Sequence, residues 1–367
     1  MQVARECYDR STLMLPPHQH DIVMSVDSQK LIFAVISGYP YAIAEETEHS
    51  SAVIYSSHCG AELGNAIAAT ILGENNPAAR CPITWYKSDS EIPPITEYDI
   101  ISARSTYMYY DGEPLFPFGH GLSYSEFVYS DFSIEQNTDS ITAKIKVKNV
   151  SELDGDEVVQ IYFNNGQAFL NLKLCGFKRV HIPSGTEKTV NIEIPNERIS
   201  SYDEITGEMK VFKGNFTFMA GASCKDIRCS ISMAINGSDR SAYPAEQVIL
   251  CKNYHFPQGA SLDFSITEND RYVKFGDWGG QITLNRCEHI GCTSAEIYAC
   301  APCAPAKIEI LELDEQENVI GTADIPSSAA DDDFHKIIVP VSPVNGAAAI
   351  GIRAIGMANI YKLRFLK

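Results

Sequence analysis

From about residue 126 onward the chain settles into short runs in which polar and apolar side chains alternate. SITAKIKVKNV (140–150), DEVVQIYF (156–163), CGFKRVHI (175–182), EKTVNIEI (187–194) and GNFTFMAG (214–221) mostly follow a period of two. Successive strand residues point to opposite faces, so such a run has one apolar face to bury and one to wet. Turn signals, Leu-Asp-Gly at 153–155 and Pro-Ser-Gly at 183–185, separate the runs. Short strands at this spacing predict an antiparallel β-sandwich over residues 126–234. A second all-β pattern fills 248–367: LDFSIT, YVKFG, GQITLN, SAEIYAC, AKIEILEL, HKIIVPV, AAIGIRAI and IYKLRFLK. It predicts a jelly roll or another sandwich. INGSDRSAYPAEQ (235–247), polar and proline-bearing, reads as the linker between them. No repeat period suggests a propeller or solenoid.

Residues 1–125 have another texture. LIFAVISG (31–38) and SAVIYSS (51–57) are short β-branched runs of the kind buried in a parallel sheet. LPPHQHDIVMSVDS (15–28) has a proline start for a helix. AELGNAIAATILG (61–73) has apolar residues at helical spacing and a closing Gly73. Strand and helix in alternation predict an α/β layer.

A length of 367 residues accommodates two to three domains. The net charge of −18 argues against nucleic acid and anionic membranes as partners. No window approaches about 18 uninterrupted apolar residues, so a membrane span is not expected. MQVARECYDRSTLM lacks the apolar centre of a secretion signal, and eleven scattered cysteines suit reduced thiols. Together these point to the cytoplasm, although loss of N-terminal sequence would also remove a signal.

Two clusters invite a metal. Cys287, Cys292, Cys300 and Cys303 surround His289, but only one pair has the C-x2-C spacing of a zinc site. Plain packing of small apolar thiols is the preferred reading. Asp331, Asp332 and Asp333 read as a solvated turn or as a calcium-attracting run. No metal or other cofactor is called for.

LFPFGHGLSY (115–124) is too apolar for a surface loop and too rich in Pro and Gly for a regular element. With its neighbours, YYDGEPLFPFGHGLSYSEFVY (109–129), it resembles the signature ending the α/β domain of family 3 glycoside hydrolases, the β-glucosidase and β-xylosidase family. ILGENNPAARCPITWYKSDSEIPPITEYDI (71–100) is similar to that family's G-x-x-N-P-x-G-R-x-P-x-T-W run, and LPPHQHDIV (15–23) to its L-P-x-x-Q stretch. DGDEVVQIYF, LCGFKRVHIPSG and GNFTFMAGASCKDI resemble its fibronectin-III-like domain in order and spacing. The resemblance covers residues 4–232. The C-terminal segment, through AKIEILELDEQENVIGTADIP and AAIGIRAIGMANIYKLRFLK, resembles family 6 carbohydrate-binding modules. The fold these likenesses imply is multi-domain α/β plus all-β. A partial α/β sandwich domain (1–125) precedes a fibronectin-III-like β-sandwich (126–234), a linker (235–247) and a jelly-roll-like β-sandwich (248–367).

The resemblance implies a retaining mechanism with two carboxylates, one attacking the anomeric carbon and one serving as acid and base. In this family the nucleophile is an Asp on an N-terminal (β/α)8 barrel, and no barrel-sized run precedes the α/β segment here. ECYDR (6–10) resembles the family's E-G-x-D-R motif, with Cys7 in place of Gly. Carried over, Glu6 is the general acid/base, and Asp9 with Arg10 anchors its loop; a solvated residue near the terminus is the plainer alternative. His58, at a strand-to-helix turn, is a substrate-contact candidate or a loop histidine satisfied by carbonyls. Arg80 and Trp85 read as stabilising. In the last segment Trp278, Tyr254 and Tyr361 are candidates for stacking on a sugar ring or for sandwich packing, with Trp278 favoured by its loop context FGDWGG.

Three readings follow. The chain is part of a family 3 enzyme acting on β-linked glucosides or xylosides of plant oligosaccharides, inactive alone for want of the nucleophile. Or it is a non-catalytic carbohydrate-binding or scaffold protein. Or it is a truncated gene product, for which a separate chain carrying the barrel would be the partner covering an open sheet edge.

Overall fold

A computed structural model describes residues 10–101, 103–167, 170–289, 291–313, 317–342 and 347–367. The chain divides into two compact units, residues 1–201 with 210–238, and residues 202–209 with 239–367.

The first unit begins with α1 (Pro17–Ser25), β1 (Ile32–Ile36), α2 (Ala44–His49), β2 (Ala52–Ser56) and α3 (Leu63–Ile71). Pro17 stands at the first turn of α1, where a missing N–H leaves no bond unmade. β1 and β2 pair in parallel, Phe33 beside Val53 and Val35 beside Tyr55. Phe33, Val35, Val53 and Tyr55 pack on Trp85, which is 2% exposed, together with Ile43, Leu115 and Phe116. The opposite face departs from the expected buried parallel strands: Ile32 and Ile36 are exposed, and α3 has no buried residue. Among the described residues these two strands pair only with each other.

A short helix, α4 (Thr106–Tyr109), precedes the 115–124 connector. The connector runs antiparallel to residues 81–85: Leu115 N donates to Trp85 O at 2.7 Å, Cys81 N to His120 O at 2.7 Å and Gly119 N to Cys81 O at 2.7 Å. Gly119 takes φ +82°, where other residues are strained, and an added Cβ would lie 2.1 Å from Gln160 Oε1. Phe118 stacks on Tyr107 with centroids 4.1 Å apart. Tyr124 is 48% exposed. Its hydroxyl donates to Thr70 O at 2.7 Å, so it acts as a surface tether.

The sandwich of this unit has β3 (Phe127–Gln136), β4 (Ser140–Asn149) and β7 (Glu187–Pro195) in one sheet. The other has β11 (Ile227–Ile235), β10 (Gly214–Gly221), β5 (Gly155–Asn164) and β6 (Lys173–Ile182), in that order. Ile141, Ala143, Ile145 and Val147 face Val159, Ile161, Phe163, Phe216 and Phe218 across the core. β5 is buried on both faces, because the connector covers its outer side. There Gln160 Nε2 donates to Gly119 O at 3.1 Å, and Tyr162 OH donates to Gln160 Oε1 at 2.6 Å. At the sandwich end Arg80 Nη2 meets Glu157 Oε1 at 3.2 Å, their side chains 9% and 2% exposed. Arg80 Nη1 also donates to Ala78 O and Ala79 O, while Glu157 accepts from Tyr129 OH at 3.1 Å.

In the second unit β8 (Ser201–Asp203) and β9 (Glu208–Lys210) form a hairpin whose turn residue Ile205 packs on the unit's core. β12 (Ile249–Leu250), β13 (His255–Gln258), β14 (Ala260–Ser265), β15 (Asp270–Phe275), β16 (Gly280–Glu288) and β17 (Ser294–Cys300) follow. β18 (Ala306–Leu313), β19 (Glu317–Ile325), β20 (His335–Pro340), β21 (Ala347–Ile355) and β22 (Asn359–Leu366) complete it. Among the described residues one sheet runs β14-β15-β22-β17-β20, with β12 beside β22, and the other β13-β16-β21-β18-β19. Val273, Phe275, Ile297 and Leu363 of the first meet Ile282, Leu284, Ile310, Ile350 and Ile352 of the second. Residues of the 235–247 stretch are divided between the units after Ser238. Tyr243 within it is buried, bridged to Cys287.

Removing one partner of a buried ion pair strands the other charge. Arg80→Leu is therefore expected to destabilise the first unit by about 3–5 kcal/mol in denaturant unfolding, and Arg80→Leu with Glu157→Leu to recover most of it. A single-variant cost below about 1 kcal/mol would show that the pair is not structural.

Candidate functional site

In open α/β layers the carboxyl ends of parallel strands are where ligands are met. At that end of β1, Ser37 is 3% exposed and its Oγ donates to Tyr39 O at 2.8 Å. Tyr55 OH, from β2, donates to Ser37 O at 3.1 Å. Tyr39 and Tyr41 hold Arg10 between them, its guanidinium carbon 3.9 Å and 4.6 Å from their ring centroids, and Arg10 Nη2 donates to Pro40 O at 3.1 Å. The cationic face of the guanidinium against two π-systems is a firm anchor for the chain entering this edge. Glu6, four positions upstream in sequence, lies outside the described residues, as does Asp9.

His58 is exposed on the loop from β2 to α3. It lies near Gly38, beyond the end of β1, since a Cβ built there would be 3.9 Å from His58 Cδ2. Glu62, the N-cap residue of α3, accepts from Asn65 Nδ2. So the edge brings His58, Ser37 and the Arg10 clamp to one end of the sheet. The Tyr39-Pro40-Tyr41 clamp went unnoticed in the sequence; an aromatic pair flanking Pro after a strand was its only signal.

α1 is fastened to α2 by His20 Nδ1 and Glu46 Oε1 at 2.7 Å, with Glu46 1% exposed. The hydrogen bond to Glu46 holds the His20 imidazole above the usual histidine value.

The aromatic candidates of the second unit have different surroundings. Trp278 is 98% exposed, on the turn between β15 and β16. That turn is rigid: Gly279 N donates to Gly276 O at 2.8 Å and Gly276 N to Gly259 O at 3.0 Å. Gly279 has φ +85°, and an added Cβ would sit 2.1 Å from Ala354 O. Tyr254 is half-buried against the core. Tyr361 is 8% exposed, with Phe334 5.7 Å from its centroid and Lys362 Nζ 4.9 Å from it. Of the three, Trp278 alone presents an exposed ring.

Of the two metal-suggestive clusters, the aspartate run is hydrogen-bonded, and the cysteines around His289 are mostly packed away, with His289 Nε2 buried and lacking a hydrogen-bond partner. Cys287, Cys292 and Cys300 are buried and Cys303 is exposed. Burial pushes the Cys287 thiol up to about 12. His289 Nδ1 pairs with Cys287 O at 2.9 Å and its ring stacks on Phe365. The aspartate run is a structural loop: Asp331 O accepts from Asn359 Nδ2 at 2.7 Å, and Asp331 Oδ2 meets Lys274 Nζ at 3.0 Å. Asp332 accepts from Ser265 Oγ at 2.9 Å. Among the described residues no group of three or more His, Cys, Asp or Glu is placed to hold a metal ion. No described helix is long and apolar enough to cross a membrane.

Comparison with known proteins gives these edges a context. Residues 1–124 match the glycosyl hydrolase family 3 C-terminal domain, and residues 157–224 match the fibronectin type III-like domain. The chain is 32% identical over 224 residues to a xylan 1,4-beta-xylosidase of Xylanibacter ruminicola, covering 59% of this chain and 26% of that protein. It is 30% identical over 253 residues to thermostable beta-glucosidase B of Acetivibrio thermocellus, covering 64% and 33%. The crystal structure of a Kluyveromyces marxianus beta-glucosidase superposes with a TM-score of 0.57 at 30% identity, covering 62% of this chain and 30% of that one. A GH3 beta-glucosidase of Bifidobacterium adolescentis shares the fold, with a TM-score of 0.59 at 22% identity over 66% of this chain and 38% of that one. The chain thus spans about a quarter to a third of the curated relatives it matches, 26% and 33% of these two.

A histidine raised above its ordinary value by folding contributes stability below about pH 6.5, lost as pH rises through the folded value. His20→Gln is therefore expected to lower the melting temperature most in mildly acidic solution, the gap to the unaltered chain narrowing toward alkaline pH. A gap that stays constant with pH would contradict the His20–Glu46 linkage.

Proposed function

We propose that the chain is the C-terminal portion of a family 3 glycoside hydrolase acting on β-linked glucosides or xylosides of plant oligosaccharides. The observation that carries this reading is the matching of two consecutive domains, 1–124 and 157–224, within one compact unit. The exposed Ile32 and Ile36 of β1 support it too, because parallel sheets are normally covered on both faces. A polypeptide bearing the (β/α)8 barrel is the partner that would cover this layer.

In this reading Glu6 is the general acid/base and His58 contacts substrate. Retaining hydrolysis needs a second carboxylate roughly 5 Å away, which the barrel would supply. The chain alone is therefore inactive. The last sandwich acts as a jelly-roll-like sugar-binding module of the family 6 kind. Trp278, rigidly mounted and exposed, offers its flat face to the C–H groups of a pyranose.

One pair of measurements tests this. The purified chain should turn over neither aryl β-glucosides nor aryl β-xylosides, and calorimetry with xylo- and cello-oligosaccharides should show heat that Trp278→Ala abolishes. Turnover lost in Glu6→Gln would contradict the inactivity, and the absence of heat with any oligosaccharide would contradict the module.

A further inference from the structure

The outer face of one sheet of the second unit carries a charge pattern that none of the roles above uses. Ala295 and Ile297 of β17, Val339 of β20, and Leu363 and Phe365 of β22 point into the core. Alternation sends their neighbours outward: Glu296 and Tyr298 from β17, Lys336 and Ile338 from β20, Lys362 and Arg364 from β22. The register sets these side chains in two rows. Tyr298 lies opposite Lys336 on one side and Lys362 on the other, and Glu296 lies opposite Ile338 and Arg364. Neighbouring strands are about 4.8 Å apart, so the two lysines leave the sheet about 10 Å from each other with the tyrosine between them.

Three cations here face a single carboxylate. Glu296, 3% exposed, is shared by Lys336 and Arg364, the latter with Nε 3.0 Å from Oε1. Among the described residues Lys362 has no carboxylate partner. Its Nζ lies 4.3 Å from the ring centroid of Tyr298 and 4.9 Å from that of Tyr361. The two rings hold the ammonium in place without neutralising it.

Toward β15 the same face is covered and its charges are balanced. Phe334 packs on Tyr272 and Tyr361, and Lys274 meets both Asp263 and Asp331. The surplus positive charge is therefore local to the β20-β17-β22 strip. Solvent reaches that strip, since Lys336 is exposed and Ile338 forms an apolar step beside it.

The rest of the molecule selects among anions. With a net charge of −18 the chain repels a densely charged polymer. A lone carboxylate escapes that repulsion, because screening over about 8 Å leaves it facing the strip's own cations.

We propose that the β20-β17-β22 strip binds the carboxylate of an isolated uronic acid residue on an otherwise neutral polysaccharide, Lys362 meeting the carboxylate and Tyr298 with Ile338 supporting the adjoining sugar. That the polymer is a sugar rests on the reading of this sandwich as a sugar-binding module; the strip adds the charge.

The test is calorimetric titration of the full chain with xylotetraose and with the same oligosaccharide carrying one glucuronic acid residue. The acidic sugar is expected to bind about threefold to tenfold tighter in dilute buffer. The two should converge in about 0.5 M salt. Lys362→Gln should abolish the preference while leaving the melting temperature and the affinity for the neutral sugar unchanged. Lys362→Arg, which keeps the charge and the ring contact, should retain it. Equal affinities for the two sugars would overturn the proposal and leave the sugar-binding reading standing, whereas heat with neither would overturn both. A preference that survives Lys362→Gln would overturn the assignment to this strip. Equal competition by a capped Gly-Glu-Gly peptide would overturn the assignment to a sugar.

Discussion

The Arg80–Glu157 ion pair is the contact on which the first unit depends. A guanidinium and a carboxylate both removed from water are costly unless every remaining hydrogen-bonding group is answered. Here Ala78 O and Ala79 O accept from the other terminal guanidinium nitrogen and Tyr129 OH reaches Glu157 from the facing sheet, while Arg80 Nε is left without a hydrogen-bond partner. One pair thus links the 78–80 turn to both sheets of the sandwich. It explains why a carboxylate is tolerated at a buried position of β5, where Glu157 is 2% exposed.

Around that pair the 115–124 connector takes its shape. Gly119 sits at φ +82°, where other residues are strained, and a side chain there would push on Gln160 and Tyr162. Gln160 in turn is satisfied by the connector's own carbonyl and by Tyr162. The outer face of β5 is therefore dry, although an isolated sandwich would wet it. The α/β segment and the sandwich act as a single packing problem.

Much of this was legible in the residues. Period-two runs located β4, β5, β6, β7 and β10 almost to the residue, because alternation is a direct image of a half-buried strand. β3 is harder to read, because it opens on three consecutive apolar residues and an irregularity between Ser130 and Ser133 breaks its period. The β1 and β2 runs read as strands buried on both faces, yet the face bearing Ile32 and Ile36 is exposed; burial is decided by what packs above, which apolarity alone does not report. Trp278 stood out through the glycines around it. The Arg10 clamp could not be read, since it depends on residues brought together by the fold from distant parts of the chain.

The central claim is that the α/β segment and the sandwich unfold together, locked through Arg80 and the connector. Native-state hydrogen exchange tests it most directly. The amides of Cys81, Trp85 and Gly119, all bonded across the connector, should exchange with the same opening free energy as those of β4 and β5. Exchange of the connector amides at a much lower free energy, with the sandwich still closed, would contradict it.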